Sequence, residues 1–315
     1  MLNAILISSA SSKLPLFFSV RSSLERHNLE YKIIVGDSNP LSLSSYFADD
    51  FWQMPSIEEI TVSDFIEGCL ERKIKLILPT RDGELEFYAK NYSLFEENGI
   101  QILISKLSSV RACLDKISFS QTLESTGFPV VPSFEKLPQG IKGGLAVKER
   151  FGAGSRSMFL NITAEEAELH ALTLNSPIYQ PFTHGQEISI DVWLSQDGST
   201  GVASPRSRDL IIDGEAKVTS TFSNSDIEKI SLDVCRELEI TGICVLQGFI
   251  TEDNNFVILE CNTRFGGATT ASINSGVPLL DLLLLDALQM DFNSVLKSIK
   301  RKNIVQVRAV HDYCF

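Results

Sequence analysis

With 315 residues the chain has enough length for two or three packed units, and a composition of 43% apolar and 22% charged residues supports a sizeable core without staples. A net charge of −12 leaves no general surplus of Lys and Arg for a phosphate backbone, which argues against a nucleic-acid partner but not against a local cationic nucleotide pocket. Cysteines at 69, 113, 235, 244, 261 and 314 form no Cys-x-x-Cys pair, so no zinc site is expected and a reducing, cytoplasmic setting is.

The N-terminal run Met1 to Ala10 has no basic segment ahead of its apolar residues, which disfavours a signal peptide. Ala4 to Ile7 reads as a strand running into the small polar loop Ser8 to Ser12, and a helix is expected from about Leu14 to His27. Tyr31 to Gly36 is a second strand, ending at Asp37. Val62 to Arg72 has helical spacing, Leu76 to Leu78 is a strand stopped by Pro79, Leu85 to Asn98 is a helix closed by Gly99, and Gln101 to Ile104 is a fourth strand. This alternation predicts a parallel sheet covered on both faces, with ligands beyond the strand C-termini at Ser8 to Ser12, Asp37 to Asn39 and Pro79 to Glu84. No G-x-G-x-x-G follows the first strand, so the dinucleotide fingerprint is missing.

A different pattern starts near Asp115, with a helix over Lys116 to Ser125 closed by Gly127. Strands are expected over Gly144 to Lys148, Met158 to Leu160, Ile178 to Phe182, Glu187 to Leu194 and Gly201 to Ala203. A helix over Ser225 to Leu238 precedes a final hairpin, Cys244 to Glu260. Val277 to Met290 is the most apolar segment, but Asp281 and Asp286 interrupt it, so it reads as a buried helix and no membrane span is expected.

The hairpin carries most of the chemistry. A turn at Glu252 to Asn255 sets Gln247 opposite Glu260. Strand alternation then gives Glu260, Asn262 and Arg264 a common face and turns Cys261 and Thr263 away. Carboxylate and amide oxygens suit Mg²⁺, and a guanidinium beside them suits a phosphoryl group. The alternative is a solvated outer face, disfavoured by the apolar run Phe256 to Leu259 before Glu260 and by Gly266-Gly267 after it. In a second segment, Val147 to Arg156, an apolar strand ends in Lys148 and a Gly-containing loop follows. Such loops can cradle phosphates, although an ordinary Gly-rich hairpin is the more common source of this pattern and the segment is not a Walker A sequence.

In this order, these elements resemble the ATP-grasp superfamily, and over about residues 1 to 290 its branch similar to the carbamoyl phosphate synthase large subunit. The run Gln247…Glu260-Cys-Asn262-Thr-Arg264-Phe-Gly-Gly267 carries the resemblance most specifically, supported by Phe151-Gly-Ala-Gly-Ser-Arg156. The implied fold is α/β: a Rossmann-like pre-ATP-grasp domain (1–112), then a two-subdomain α+β ATP-grasp fold with a lid (113–178) and a C-terminal subdomain (179–315).

The resemblance also implies roles. Gln247, Glu260 and Asn262 would hold Mg²⁺, or Mn²⁺ in its place, and Arg264 would steady the moving phosphoryl group. Lys116 and Lys148 would bind ATP, with Gly152, Ala153, Gly154 and Ser155 closing over its phosphates. Gln180, Pro181 and Phe182 would form the hinge at the adenine, Glu187 would hold the ribose, and Arg206 and Arg208 would face the acceptor or the γ-phosphate. The implied reaction joins a small carboxylate to an amine or similar nucleophile; the competing reading is a nucleotide-binding sensor or subunit without turnover. The resemblance allows a homodimer. Glu149 and Ser157 depart from residues frequent in relatives, and the chain lacks a second synthetase half, so carbamoyl phosphate synthesis by this chain alone is not expected. Thr80, Asp82 and Glu84 are candidates to line the acceptor site, with an ordinary helix cap as the alternative.

Overall fold

Short apolar runs alternate with helix-period runs over the first third of the chain, and they build one parallel sheet. The structure, a computed structural model, describes residues 2–11, 13–141, 143–152 and 157–314; the loop positions Ser12, Ala153, Gly154, Ser155 and Arg156 lie outside the described residues. Its first elements are β1 (Asn3–Ser8), α1 (Leu14–Arg26), β2 (Tyr31–Asp37), β3 (Asp50–Gln53), α2 (Val62–Glu71), β4 (Ile74–Leu78), α3 (Asp82–Lys90), α4 (Tyr92–Glu97) and β5 (Gln101–Ile102). The strand order is β3-β2-β1-β4-β5, all parallel.

The loops after β1, β2 and β4 leave the sheet at its C-terminal edge and are tied to one another. Ser9 Oγ donates to Glu84 Oε2 (2.8 Å), Thr80 Oγ1 donates to the Ser8 carbonyl (2.8 Å), and the Ser11 N–H donates to Asp37 Oδ2 (2.9 Å). The expected helix over 85–98 is in fact two. It starts early because Glu84 accepts from the backbone N–H groups of Thr80 (2.7 Å) and Arg81 (3.0 Å), and it breaks at Asn91. Sequence patterning does not anticipate β3, an edge strand on which Trp52 is the buried residue.

Helices α5 (Leu107–Leu114) and α6 (Lys116–Ser125) lead into a small antiparallel sheet, order β7-β6-β8, built from β6 (Leu145–Glu149), β7 (Phe159–Ile162) and β8 (Pro177–Pro181) with α7 (Ala164–Ala171) packed on it. The expected divisions at 112/113 and 178/179 fall inside α5 and β8. Next come β9 (Gln186–Leu194), β10 (Gly201–Ser207), β11 (Leu210–Ile212), β12 (Glu215–Ser220), α8 (Ser225–Glu237), β13 (Gly242–Ile250) and β14 (Phe256–Asn262). The chain continues with α9 (Thr270–Asn274), α10 (Leu279–Ala287), α11 (Asn293–Lys297) and β15 (Val305–Val307). Strands β10-β9-β13-β14 form the central antiparallel sheet, and β11-β12-β15 form a small one beside it. Among the described residues no helix is long and apolar enough to cross a membrane.

The central sheet has two unlike faces. Ile188, Ile190, Val192 and Leu194 of β9 join Cys244, Leu246, Ile258 and Cys261 in one core, closed by Ile227 and Val234 of α8. The opposite face is graded along the strands. At one end Trp193, Val202 and Ile243 pack with Phe17 and Val20 of α1 and with the leucines of α10, so the N-terminal sheet docks there through a continuous apolar cluster. At the other end the same face carries Glu187, Gln247 and Glu260.

A β-bulge makes that polar end. Near the turn Ile250 pairs with Phe256 and Gly248 with Ile258, but Gln247 pairs with Glu260, leaving Leu259 as an extra residue on β14. Without the extra residue Glu260 would share a face with Phe256 and Ile258 and would point into the core. Opposite the bulge stands Gly248, where an added Cβ would lie 2.3 Å from the Val257 carbonyl oxygen and 3.2 Å from the Ile258 Cα. Gly248→Ala is therefore expected to cost about 1–3 kcal/mol by overpacking against backbone that cannot yield; urea unfolding of the variant measures it, and an unchanged midpoint would remove Gly248 from this role.

Candidate active site

The registers bring the polar residues of three strands together. Gln247 on β13 sits opposite Glu260 on β14 and Ser189 on β9, and Phe249 pairs with Glu187. With its amide assigned from the hydrogen-bond network, Gln247 donates to Glu260 Oε1 (2.7 Å) and accepts from Arg208. Arg208, just past β10, also donates to Glu187 Oε1 (2.5 Å) and to the Gly214 carbonyl (2.8 Å). From the small sheet, Lys148 on β6 reaches across until its Nζ is 3.9 Å from Glu260 Oε2. Lys148, Glu260, Gln247, Arg208 and Glu187 thus form one connected track, in which the neutral Gln247 amide bridges a Lys–Glu pair to an Arg–Glu pair.

The electrostatics follow from burial and neighbours. Burial pulls the Lys148 ammonium below the usual lysine range, and Lys116 adds to this against the opposing pull of Glu260 and Glu187. Burial pushes Glu260 upward, but Lys148, Lys116, the Asn262 amide and Arg208 together outweigh it and hold the carboxyl below its ordinary value. Glu187 goes the other way: burial, with Glu260 adding, raises it despite Arg208 and Lys148. Two carboxylates facing one site are therefore pushed apart in acidity, Glu260 downward and Glu187 upward.

Arg264 extends the track toward the N-terminal sheet. Its Nη2 donates to Asp82 Oδ2 (2.5 Å) and Asn262 Oδ1 (3.2 Å), and its Nη1 donates to the Phe265 carbonyl (3.0 Å). Its Nε–H is buried and has no partner among the described residues. Of the three acceptor-lining candidates, Asp82 meets this site. Thr80 and Glu84 are buried in the bonds that shape the loops after β1 and β4.

The other residues singled out from the sequence take varied places. Lys116, the first residue of α6, donates to the Gly152 carbonyl (2.8 Å) and the Arg150 carbonyl (3.3 Å), so it holds the entry to the Gly-containing loop. Gly152 has φ +124°, a conformation that favours glycine. Gln180 is buried and donates through Nε2 to Ser133 Oγ (2.8 Å), while Pro181 pairs with Leu145 in the small sheet. The Phe182 N–H is already donated to the Gly144 carbonyl (2.9 Å). Arg206 is buried beneath the site, and its Nε donates to Asp191 Oδ2 (2.8 Å) rather than facing the open cleft. Cys261 turns away into the core, as strand alternation predicts.

Two residues that position the site escape a motif-based reading. Asp191 has no exposed surface and accepts from Arg206, from Thr269 Oγ1 (2.6 Å) and from Ser272 Oγ (2.6 Å), which anchors the segment after Arg264. The period-two polar run Glu187, Ser189, Asp191 was the available signal. Arg150 clamps Asp115 (2.6 Å) and Glu135 (2.6 Å), bracing the start of the loop.

Gln247, Glu260 and Asn262 offer carboxylate and amide oxygens, hard donors of the kind Mg²⁺ takes, so the residues present fit that ion. Among the described residues no group of three or more His, Cys, Asp or Glu side chains is placed to hold a metal alone. A cation here would therefore be completed by water and phosphate oxygens, the usual manner of Mg²⁺ beside a nucleotide.

Comparison with known proteins bears on the family and the fold. Residues 5–103 match the PylC-like N-terminal domain family, and residues 174–313 match the family described as ATP-grasp in the biosynthetic pathway with Ter operon. The carbamoyl phosphate synthase large chain of Agathobacter rectalis is 21% identical, over 93% of this chain but 30% of that relative, so the chain spans less than a third of its length. Among solved structures, biotin carboxylase from Campylobacter jejuni in complex with β,γ-ATP superposes with a TM-score of 0.76 at 14% identity, covering 98% of this chain and 76% of that one. The biotin carboxylase domain of Hydrogenobacter thermophilus 2-oxoglutarate carboxylase, in complex with MgADP, ADP and bicarbonate, gives 0.78 at 14% identity, covering 98% and 75%. N5-carboxyaminoimidazole ribonucleotide synthetase from Thermotoga maritima gives 0.68 at 15% identity, covering 92% and 77%. At these identities the structural likenesses establish the fold.

Two outcomes check the electrostatics and the anchor. In Lys148→Met the largest opposing charge on Glu260 is gone, so the Glu260 carboxyl should titrate at higher pH than in the parent, read by carbon-detected NMR; an unmoved titration would break the pairing. Asp191→Ala leaves Arg206 buried without its counter-ion and should lower stability by about 3–5 kcal/mol in denaturant unfolding; a change within error would show that Arg206 finds another partner.

Proposed function

We propose, for a chain that belongs to the ATP-grasp superfamily, that it is an ATP-dependent carboxylate ligase: it phosphorylates a small carboxylic acid and passes the acyl group to an amine or similar nucleophile. The observation that carries this reading is the convergence of Lys148, Glu260, Gln247, Arg208 and Glu187 into one track continued by Asn262 and Arg264. A site that only bound a nucleotide would have no need of a guanidinium whose Nε–H is buried and, among the described residues, unpartnered, on the chain segment just past the Glu260 of the Glu260–Gln247 pair.

In the proposed reaction an acceptor carboxylate oxygen attacks the γ-phosphorus while the bond to the β,γ-bridging oxygen breaks and ADP leaves. The nucleophile then adds to the acyl phosphate carbon and phosphate departs, taking the bonding electron pair, as the amine gives up a proton. Mg²⁺, when bound by Glu260, Gln247 and Asn262, would supply neutralisation of phosphate charge. Lys148, desolvated on β6, meets phosphate oxygens as a point charge, and Arg264 directs its unpartnered Nε–H to the group in flight. Lys116 tethers the loop that shields the acyl phosphate from water. Glu187 suits the ribose hydroxyls, and Gln180 to Phe182 lie at the hinge. Arg206 supports the floor through Asp191.

ADP release with a panel of carboxylic acids, with hydroxylamine as nucleophile to trap the acyl phosphate as a hydroxamate, tests the reading. Acid-dependent ADP and hydroxamate are expected, with Glu260→Ala abolishing both and Arg264→Met lowering kcat by about 10²–10³-fold. Binding of Mg-ATP with no acid ever yielding ADP would replace the ligase with a nucleotide sensor.

A further inference from the structure

Beyond Arg264 the cleft between the N-terminal sheet and the central sheet holds charges that the phosphate chemistry does not use. Lys13 stands at the head of α1, on the loop after β1, within electrostatic reach of Arg264, Glu215, Arg308 and Asp82. Asp82 is taken by Arg264 (2.5 Å), and Glu215 accepts from both Arg308 (3.1 Å) and Lys217 (2.9 Å). Among the described residues the Lys13 ammonium has no hydrogen-bond or ion-pair partner. Arg308 arches over Gly267, where an added Cβ would lie 3.1 Å from its Nη1, so the guanidinium rests directly on the backbone that follows Arg264.

Lys13, Arg264 and Arg308 thus face two carboxylates, one of which, Glu215, is shared with Lys217, in a chain whose net charge is −12. Leaving a half-buried ammonium unpaired beside two guanidiniums is unfavourable unless an anion completes the set. Burial first, then Arg264 and Arg308, pull the Lys13 ammonium below the usual lysine value against the opposing pull of Glu215 and Asp82. The phosphoryl group in flight accounts for Arg264; neither it nor the single carboxylate that attacks it accounts for Lys13 and Arg308 as well.

Resting on the ligase reading above, we propose that the acceptor is a dianion in the sense of carrying two anionic groups, the reacting carboxylate and a second one, and that Lys13 and Arg308 receive the second group while the carboxylate attacks the phosphoryl group steadied by Arg264. Lys13 is then a binding residue that sets substrate class, supplied by the N-terminal domain. The second group is a carboxylate or a phosphate, which share the chemistry that these cations recognise.

Matched acids test it: succinate against butyrate, and 3-phosphoglycerate against glycerate. Each is assayed for ADP release with Mg-ATP and hydroxylamine, and separately for its shift of the thermal midpoint of the full chain. The dianion of at least one pair should give the higher kcat/KM and the larger shift. Lys13→Met should lower that kcat/KM through KM by roughly thirtyfold or more, with Lys13→Arg retaining most of it. The proposal is overturned if the monoanions match their partners in both readouts, or if Lys13→Met keeps the parent's preference. Dianions that shift the midpoint in a Lys13-dependent manner without any ADP release would sink the ligase reading and uphold the anion site.

Discussion

The extra residue at Leu259 is the constraint on which the site depends. Strand β14 must serve the core with Phe256, Ile258 and Cys261 and the cleft with Glu260 and Asn262. Strict alternation cannot do both, because Ile258 and Glu260 would share a face. One inserted residue reverses the phase between them and sets Glu260 against Gln247. Gly248 permits the reversal because a side chain there would collide with the backbone of Val257. The Glu260 carboxylate therefore stands on a strand that is otherwise built for the core, and that strand gives it a rigid base.

The same sheet face explains how two folding units meet at one site. Its apolar end, Trp193, Val202 and Ile243, docks α1 and α10, which fixes the N-terminal sheet against the central one. Arg26 and Asp281 pin this contact at 2.7 Å. With α1 fixed, the loop after β1 is fixed as well, and its end carries Lys13 into the cleft. Between the apolar and the charged ends lies the buried Asp191–Arg206 pair with the hydroxyls of Thr269 and Ser272. A buried ion pair is a poor source of stability, but satisfied on all sides it holds the segment after Arg264 in a single arrangement.

Much of this was legible in the sequence. The parallel βα alternation, the hairpin and its Gln247–Glu260 pairing, and the turn of Cys261 away from the Glu260 face into the core all follow from periodicity and one turn signal. The bulge was not legible: an inserted residue leaves no local mark beyond a glycine across the strand, and counting from the turn alone reaches Glu260 only because the bulge moves the register to meet it. The places of Arg206 and Arg208 were not legible either. Two arginines two residues apart share a face, yet one meets Asp191 in the interior and the other reaches Glu187 at the rim. Their partners lie on β9, so the difference is tertiary. Short edge strands such as β3 and β11 escape for a related reason, since their pairing rather than their composition makes them strands.

Net charge is a weak guide to such a site. The chain carries −12 overall, yet Lys116, Lys148, Arg208, Arg264, Lys13 and Arg308 gather along one cleft against Glu187, Glu260, Asp82 and Glu215. A negative exterior keeps polyanions from the surface at long range, and screening confines the cationic pull to a few ångströms inside. What enters must therefore be small enough to leave that exterior field behind and charged enough to be worth desolvating the cations. In the proposed reaction Mg-ATP meets both conditions at the Glu260 end. The surplus at the Lys13 end sets the same two conditions for the proposed acceptor, and so the charge pattern that the phosphate chemistry leaves over is what points to a second anionic group on it.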